Sequence, residues 1–175
     1  IDRIGKVASV TGFTTQQLQA LRFAAEVAGV SSDQLDVALR RFSRRLGEAA
    51  RGTGELLPAL RRLNIAVRDG EGNIRDEFEV LKDFADGIKR TKSETAQLSL
   101  AFKAFDSEGA ELVQTLVNGR AGLLAFFKMQ RILNLEISSK SIENIEMLND
   151  SITAVQLAFK KITAEALGAL APALT

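Results

Sequence analysis

The stretch TTQQLQALRFAAEVAGVSSDQLDVALRRFSRRLGEAARG, residues 14–52, predicts two consecutive helices. Thr14 precedes Gln17 by three residues, the spacing at which two residues cap the start of a helix reciprocally. Gly29 then supplies a stop, and Ser31 supplies a new start. The second helix carries apolar residues at intervals of four, three and four, which indicates one buried face: Leu35, Leu39, Phe42 and Leu46.

The same signals extend outward from this stretch and predict an all-α fold, a multi-helix domain of short helices. Further helices are expected over residues 1–10, 52–63, 78–88, 93–105, 109–117 and 120–133. The exception lies near residues 65–75, where Asp69-Gly70 and Gly72 stand between short apolar runs. Such a segment is typical of either a small hairpin or an irregular loop, and the sequence leaves both open.

Beyond Asn134, where the helix over 120–133 is expected to end, the pattern becomes a seven-residue repeat. Apolar residues recur at intervals of three and four: Ile145, Leu148, Ile152, Val155, Phe159, Ile162 and Ala166. We call this set the seam, because such a period is typical of a coiled coil or of an antiparallel helix pair. We therefore expect a helical module over residues 1–137 and a long, coiled-coil-like helix over 138–175 that continues in a parent chain. Packing of the seam between chains and packing within this domain both remain open.

The composition excludes most kinds of active site. Because the 175 residues include no Cys and no His, a thiolate nucleophile, an imidazole base, a disulfide and the usual transition-metal sites are absent. Ten Phe stand beside no Trp and no Tyr, which favours a packed core over a sugar-binding surface. The net charge of +1 gives no overall attraction to nucleic acid. We therefore expect a protein that is not an enzyme, needs no cofactor and has no specific nucleic-acid site.

Two local charge clusters have ordinary explanations. Asp33, Asp36 and Glu48 lie within a turn or two of an arginine cluster, which predicts a solvated face rather than a phosphate site: Arg40, Arg41, Arg44 and Arg45. The loop acids faintly resemble a calcium loop: Asp69, Glu71, Asn73 and Asp76. The calcium pattern requires an acidic residue at position 80, which is Val80, so we do not expect a calcium site.

The start of the chain and its hydropathy indicate a soluble fragment. The first residue is Ile, and no basic segment precedes an apolar run as in a signal peptide. No stretch of about 18 apolar residues is present, so no membrane-spanning helix is expected. We therefore expect a soluble piece of a longer chain.

Taken in order, several segments resemble the tail tape measure proteins of long-tailed bacteriophages and prophages. The resemblance begins at Ile4-Gly5-Lys6 and continues through TTQQLQALRFAAEVAGV (14–30), LDVALRRFSRRLGEAARGTGE (35–55), LNIAVRDGEGNIRDEFEVLKDFADGI (63–88) and AFKAFDSEGAELVQTL (101–116). Asn149-Asp150 and the closing LGALAPAL, residues 167–174, complete it. The similarity covers nearly the whole chain and lies in the order and spacing of these segments rather than in any single motif.

The chain departs from the family pattern at two turns. Asp106-Ser107 replaces a common Phe-Gly step, and Leu63-Asn64 replaces Leu-Gly. Because Asn tolerates the positive φ that Gly adopts, we expect the turn at Asn64 to survive. None of the matched positions is catalytic in the family, so no site residues carry over.

The resemblance implies a structural role in the tail. Tape measure proteins are bundled in the lumen of the tail tube, set tail length during assembly, and leave at infection to help DNA cross the host envelope. The implied partners are further copies of the chain, tail tube, tail tip and tail assembly chaperone proteins, and the host membrane at infection. The implied location is the tail tube lumen of the virion, and the host cytoplasm during assembly.

The family's ruler role requires extended helix, roughly 260 Å for a chain of this length at 1.5 Å per residue. Thirteen glycines and repeated caps predict instead that residues 1–122 form a folded or hinged module. Only residues 139–171 resemble ruler-style helix. The alternative hypothesis is a membrane-interacting module in which residues 120–135 and 164–174 insert at infection.

Overall fold

The computed structural model describes the backbone of residues 3–139 and the side chains of residues 3–131. This part of the chain is all-helical, as predicted, and contains no strand. Its α-helices are α1 (Arg3–Val10), α2 (Thr15–Val27), α3 (Ser32–Ala50), α4 (Leu56–Arg62), α5 (Glu77–Arg90), α6 (Glu94–Phe105), α7 (Gly109–Leu116) and α8 (Gly119–Ser139). A short 3₁₀ turn (Asp106–Glu108) connects α6 to α7.

The predicted helix starts at Thr14 and Ser31 are confirmed. The Thr14 hydroxyl accepts the backbone N–H of Gln17 at 3.1 Å, and the Gln17 side chain accepts the backbone N–H of Thr14 at 2.9 Å. Ser31 makes the same reciprocal pair with Gln34. Each pair satisfies backbone donors that the first turn of a helix leaves without an intrahelical partner.

Helix α3 lies at the centre of the core and contacts α1, α2, α4 and α6. The apolar stripe expected on it is buried, and each of its four side chains is at most 2% exposed: Leu35, Leu39, Phe42 and Leu46. The Phe42 ring lies 6.5 Å from Phe84 on α5 and 5.6 Å from Phe105 on α6, centroid to centroid. Helix α3 therefore meets the later helices α5 and α6 at one aromatic cluster.

The segment near residues 65–75 combines features of the two alternatives. It contains a single antiparallel bridge, between Arg68 and Ile74, and no strand ladder. The backbone N–H of Arg75 donates to the carbonyl of Val67 at 3.0 Å. The segment is therefore an ordered loop with one hairpin-like pairing.

Helix α8 is longer than expected and continues through Asn134 to Ser139. The expected end at Asn134 is wrong, because Asn is only mildly unfavourable within a helix and no Gly or Pro follows it there. Helix α8 packs on α2, α5 and α7. The division at residue 137 stays a prediction, since most of the second part lies outside the described residues.

Candidate functional site

A groove of about 630 Å³ runs beside α8, between the starts of α2 and α5. We call it the α8 groove, and it is lined by Thr14, Gln16, Gln17, Ala20, Phe78, Leu124, Phe127, Lys128, Gln130 and Arg131. Four of these residues follow one another at helical spacing and form one wall: Leu124, Phe127, Lys128 and Arg131. The capped first turn of α2 forms the opposite side.

The floor of the α8 groove is aromatic. The rings of Phe78 and Phe127 stack with centroids 5.0 Å apart and planes inclined by 9°. The Lys82 ammonium lies 4.9 Å from the centroid of Phe78, within the range of a cation–π contact. The floor is therefore held in place between α5 and α8.

One apolar side chain of the groove is open to solvent. Leu124 is 44% exposed, whereas its neighbours on α8, Leu123 and Phe126, are 0% and 3% exposed. Phe126 also packs edge-on against Phe23 of α2, at 6.2 Å between centroids. Helix α8 therefore buries one apolar face in the domain and presents a second one to the groove.

The charge of the groove lining is one-sided. Among the side chains that the structure describes, the charged members of the lining are Lys128 and Arg131, both are exposed, and none is acidic. The remaining polar members are neutral amides and one hydroxyl, with Gln16 and Gln130 among them. The lining can therefore take an apolar segment that has neutral or acidic flanks.

The start of α8 is fixed by an acidic pair on α5. The carboxylate of Asp86 accepts the backbone N–H of Arg120 at 2.7 Å, as an N-terminal cap does. The Arg120 guanidinium pairs with Asp83, which also accepts from Arg75 at 2.8 Å. Gly119 permits this approach, because it has a φ of 69° and a Cβ there would lie 2.8 Å from Asp86. The groove wall is therefore anchored at its amino end.

The arginine cluster on α3 is not one solvated face, and that prediction is wrong for two of its members. Arg45 is 7% exposed and donates to the carbonyls of Phe102 and Lys103, both at 2.8 Å. Arg41 is half-buried and donates to the Ser107 hydroxyl at 3.0 Å. Arg40 and Arg44 are exposed, as expected. The pattern missed the difference because Arg41 and Arg45, one turn apart, border the buried stripe.

The prediction of a solvated face is also wrong for Asp36, which is buried. It is 4% exposed and accepts two hydrogen bonds from Arg22 of α2, at 2.6 and 3.1 Å. Such a fork-to-carboxylate pair has defined geometry and orients α2 against α3. Its partner lies 14 residues away, so no pattern within one helix identifies it.

The acidic loop residues are used within the loop itself. The Asp69 carboxylate accepts the backbone N–H groups of Glu71 and Asn73, both at 2.9 Å. The Asn73 bond is the main cause of a lowered pKa for Asp69. Among the described side chains, no group of three acidic residues converges on a metal position.

The seam itself cannot be located, because all seven of its members lie outside the described residues: Ile145, Leu148, Ile152, Val155, Phe159, Ile162 and Ala166. Its role as an interface stays a prediction. Among the described helices, none combines the length and apolar character needed to cross a membrane. Searches of protein-family models, curated proteins and solved structures found no match to this chain.

Proposed function

We propose that this chain is an internal structural segment of a phage tail tape measure protein. In this role it packs in the tail tube lumen, helps to set tail length during assembly and takes part in DNA delivery. It acts without catalysis, through helix packing against further copies and tail proteins. The seam is the surface through which copies of the chain associate.

The backbone conformation at the two departures from the family pattern carries this proposal. Asn64 stands where the family has glycine and has a φ of 56°. Asp106, in the step that replaces Phe-Gly, has a φ of 62°. Within the described residues these are the two non-glycine residues with positive φ. Glycine is the residue that adopts such a φ without strain, so one departure lies at a glycine-like turn and the other lies next to one.

The arrangement of the described helices also favours this role. Residues 4–123 contribute to one apolar core, so this part is a folded module and not an extended ruler. Helix α8 then continues toward a segment with no Gly or Pro before Gly168. A compact module joined to a long heptad-patterned segment can both occupy the tail lumen and contribute length.

Tail length tests the proposal directly. Two extra copies of residues 145–165 would be inserted after residue 165 in the phage or prophage that encodes the chain, which preserves the heptad register. The insertion adds 42 residues, twice 21, and as helix it should lengthen the tail by about 63 Å. Electron microscopy of purified tails measures the change.

A matched control separates added helix from added mass. A Gly/Ser-rich insertion of the same length between Thr53 and Gly54 enters the exposed loop that precedes α4. We expect tails of parental length from it, because a flexible loop adds no axial rise. Equal tail lengths for the parent and the heptad insertion would overturn the proposal.

The membrane alternative conflicts with the packing of α8. Insertion of residues 120–135 would require Leu123 and Phe126, at 0% and 3% exposure, to leave the domain. Flotation of the chain with anionic and zwitterionic liposomes, at neutral and acidic pH, tests it. We expect the chain to remain with the unbound fraction in every case.

A further inference from the structure

The α8 groove is an apolar surface that the described residues leave uncovered. Leu124 is 44% exposed, and the stacked rings of Phe78 and Phe127 lie at the bottom of the groove. A contiguous apolar depression rimmed by polar groups is the kind of surface that receives another segment. The spacing of Leu124, Phe127 and Arg131 along α8 suits a helix lying beside it.

The chain supplies a suitable segment directly after the groove. Helix α8 reaches Ser139, eight residues beyond Arg131, so its end lies about 12 Å past the groove wall. The seam begins at Ile145, six residues later. Six residues span up to about 20 Å, which is enough to reverse direction and return along α8.

The spacing of the seam matches the groove in the returning direction. If the chain reverses within residues 140–143, position 144 comes opposite Ser139, and each later residue lies opposite one closer to Gly119. This register places three seam residues, Ile152, Val155 and Phe159, beside three groove residues on α8, Arg131, Lys128 and Leu124. Both sets have the three-and-four spacing of paired antiparallel helices.

The polarity of the segment suits the same pairing. Residues 145–166 carry three acids, Glu146, Asp150 and Glu165, and two cations, Lys160 and Lys161, whereas the described side chains of the groove lining include two cations and no acid. In the heptad Glu146 and Asp150 lie away from the seam, so their attraction to the lining acts through the long-range field, over about 8 Å at physiological salt. Three positions that border the part of the seam nearest the groove are neutral, Asn149, Ser151 and Gln156, like Gln16 and Gln130 at the rim.

We propose that the α8 groove is the docking site for the seam of the same chain, residues 145–166, which returns antiparallel along α8. The short connection keeps the seam at a high effective concentration near its own groove, so the intramolecular contact forms ahead of contacts between separate chains. The buried face is Ile152, Val155 and Phe159 against Leu124 and Phe127.

The contact belongs to the free chain and does not rest on the proposed tail function. A chain whose seam occupies its own groove is held as a monomer. Self-association then requires the seam to leave the groove and pack with seams of other copies, an exchange related to domain swapping. The groove and the partner chains therefore compete for three seam residues, Ile152, Val155 and Phe159.

Disulfide capture in the full-length chain tests the proposal, and the absence of native Cys makes the readout unambiguous. The double variant Leu124→Cys and Phe159→Cys is oxidised at low protein concentration and examined by non-reducing electrophoresis and intact mass. We expect most molecules to form a monomeric disulfide, seen as faster migration and the loss of two hydrogens. The control pairs Phe159→Cys with Leu98→Cys on α6, which is equally exposed at 44% and does not line the groove.

The outcomes separate the possible occupants. A monomeric disulfide in the groove pair and little in the control supports docking within one chain, and the locked form should then stay monomeric in light scattering at high concentration. Covalent dimers would overturn the proposal in favour of a second copy, and equal capture in both pairs would overturn it altogether. If circular dichroism shows that Leu124→Cys disturbs folding, the double variant Lys128→Cys and Val155→Cys replaces it, because Lys128 is exposed. The same outcomes then support or overturn the proposal.

Discussion

The guanidinium of Arg45 on α3 donates to the main-chain carbonyl of Phe102 on α6 over 2.8 Å. The same guanidinium donates to the carbonyl of Lys103, also at 2.8 Å, and to the Asp106 carboxylate at 3.2 Å. The Phe102 carbonyl also accepts the backbone N–H of Asp106, and carbonyls in the last turn of a helix in general lack an intrahelical partner, so a buried cation here helps to close the end of α6. The same side chain joins the first half of the core to the turn that starts α7.

Replacing Arg45 should therefore cost far more stability than replacing its neighbour. We expect Arg45→Ala to lower the free energy of unfolding by about 2–4 kcal/mol, because two carbonyls lose a charged donor and Asp106 loses its ion pair. Arg44 is exposed, and its ion pair with Glu48 is long at 3.8 Å. Arg44→Ala should therefore change the free energy of unfolding by less than about 0.5 kcal/mol. Urea denaturation measures both, and equal losses would show that the arginine cluster is a solvated face after all.

The left-handed backbone at Asp106 predicts an unusual order of variants. Its φ of 62° and ψ of −139° are strained for a residue with a Cβ, by about 1–3 kcal/mol. Asp106→Gly relieves this strain but loses a partly exposed ion pair with Arg45, so we expect a net gain of about 0.5–1 kcal/mol. Asp106→Ala loses the pair and keeps the strain, so it should destabilise. Thermal unfolding that ranks alanine level with glycine would contradict this account.

Two helical glycines should respond oppositely to alanine. A Cβ at Gly109 would lie 2.5 Å from the backbone oxygen of Ala101, so Gly109→Ala forces α6 and α7 apart and should cost about 1–3 kcal/mol. A Cβ at Gly47 meets only the end of the Arg51 side chain, at 3.9 Å. We expect Gly47→Ala to raise stability by about 0.5–1 kcal/mol, through helix propensity. A stabilising Gly109→Ala in the same melting experiment would show that the helices do not meet this closely.

The Asp69 loop should weaken in acid. The backbone N–H of Asn73 donates to the Asp69 carboxylate and lowers its pKa below the ordinary 3.8. A folded-state pKa below the unfolded one means that the carboxylate stabilises the loop above pH 3.8, and that this contribution is lost as the pH falls through the folded value. Carbon-13 NMR of the Asp69 carboxyl should titrate below 3.8, while a free peptide of residues 66–76 titrates near it. If Asp69 has the same pKa in the protein and in the peptide, the hydrogen bonds from Glu71 and Asn73 to its carboxylate are refuted.

The parts of the fold that sequence predicts are those with local causes. The pair Thr14 and Gln17 lies within one turn, so the chemistry that begins α2 is complete in four residues. The stripe from Leu35 to Leu46 follows from helical periodicity, and it is buried as predicted. Asn64 was likewise expected to tolerate a positive φ from its residue type alone, and it does.

The parts that escaped prediction depend on distant partners. Arg45 and Asp36 are charged residues of the kind that usually lie on a helix surface. They are buried because the Phe102 carbonyl and the Arg22 guanidinium bind them in the folded protein. The α8 groove is equally invisible in sequence, because residues 120–133 are apolar around much of the helix and their pattern does not say which face the domain covers. Helix periodicity identifies an apolar face, whereas tertiary contacts decide whether that face is buried or exposed.

The stacking of Phe42 on Phe105 also determines when the protein can fold. These two rings are separated by about sixty positions, and Leu123 joins the same core still later in the chain. At roughly 5–20 residues per second, a ribosome needs about 4–16 s to pass from residue 42 to residue 123. During that interval the apolar face of α3 lacks its covering helices, so nascent chains on one message are most prone to associate before residue 123 is made.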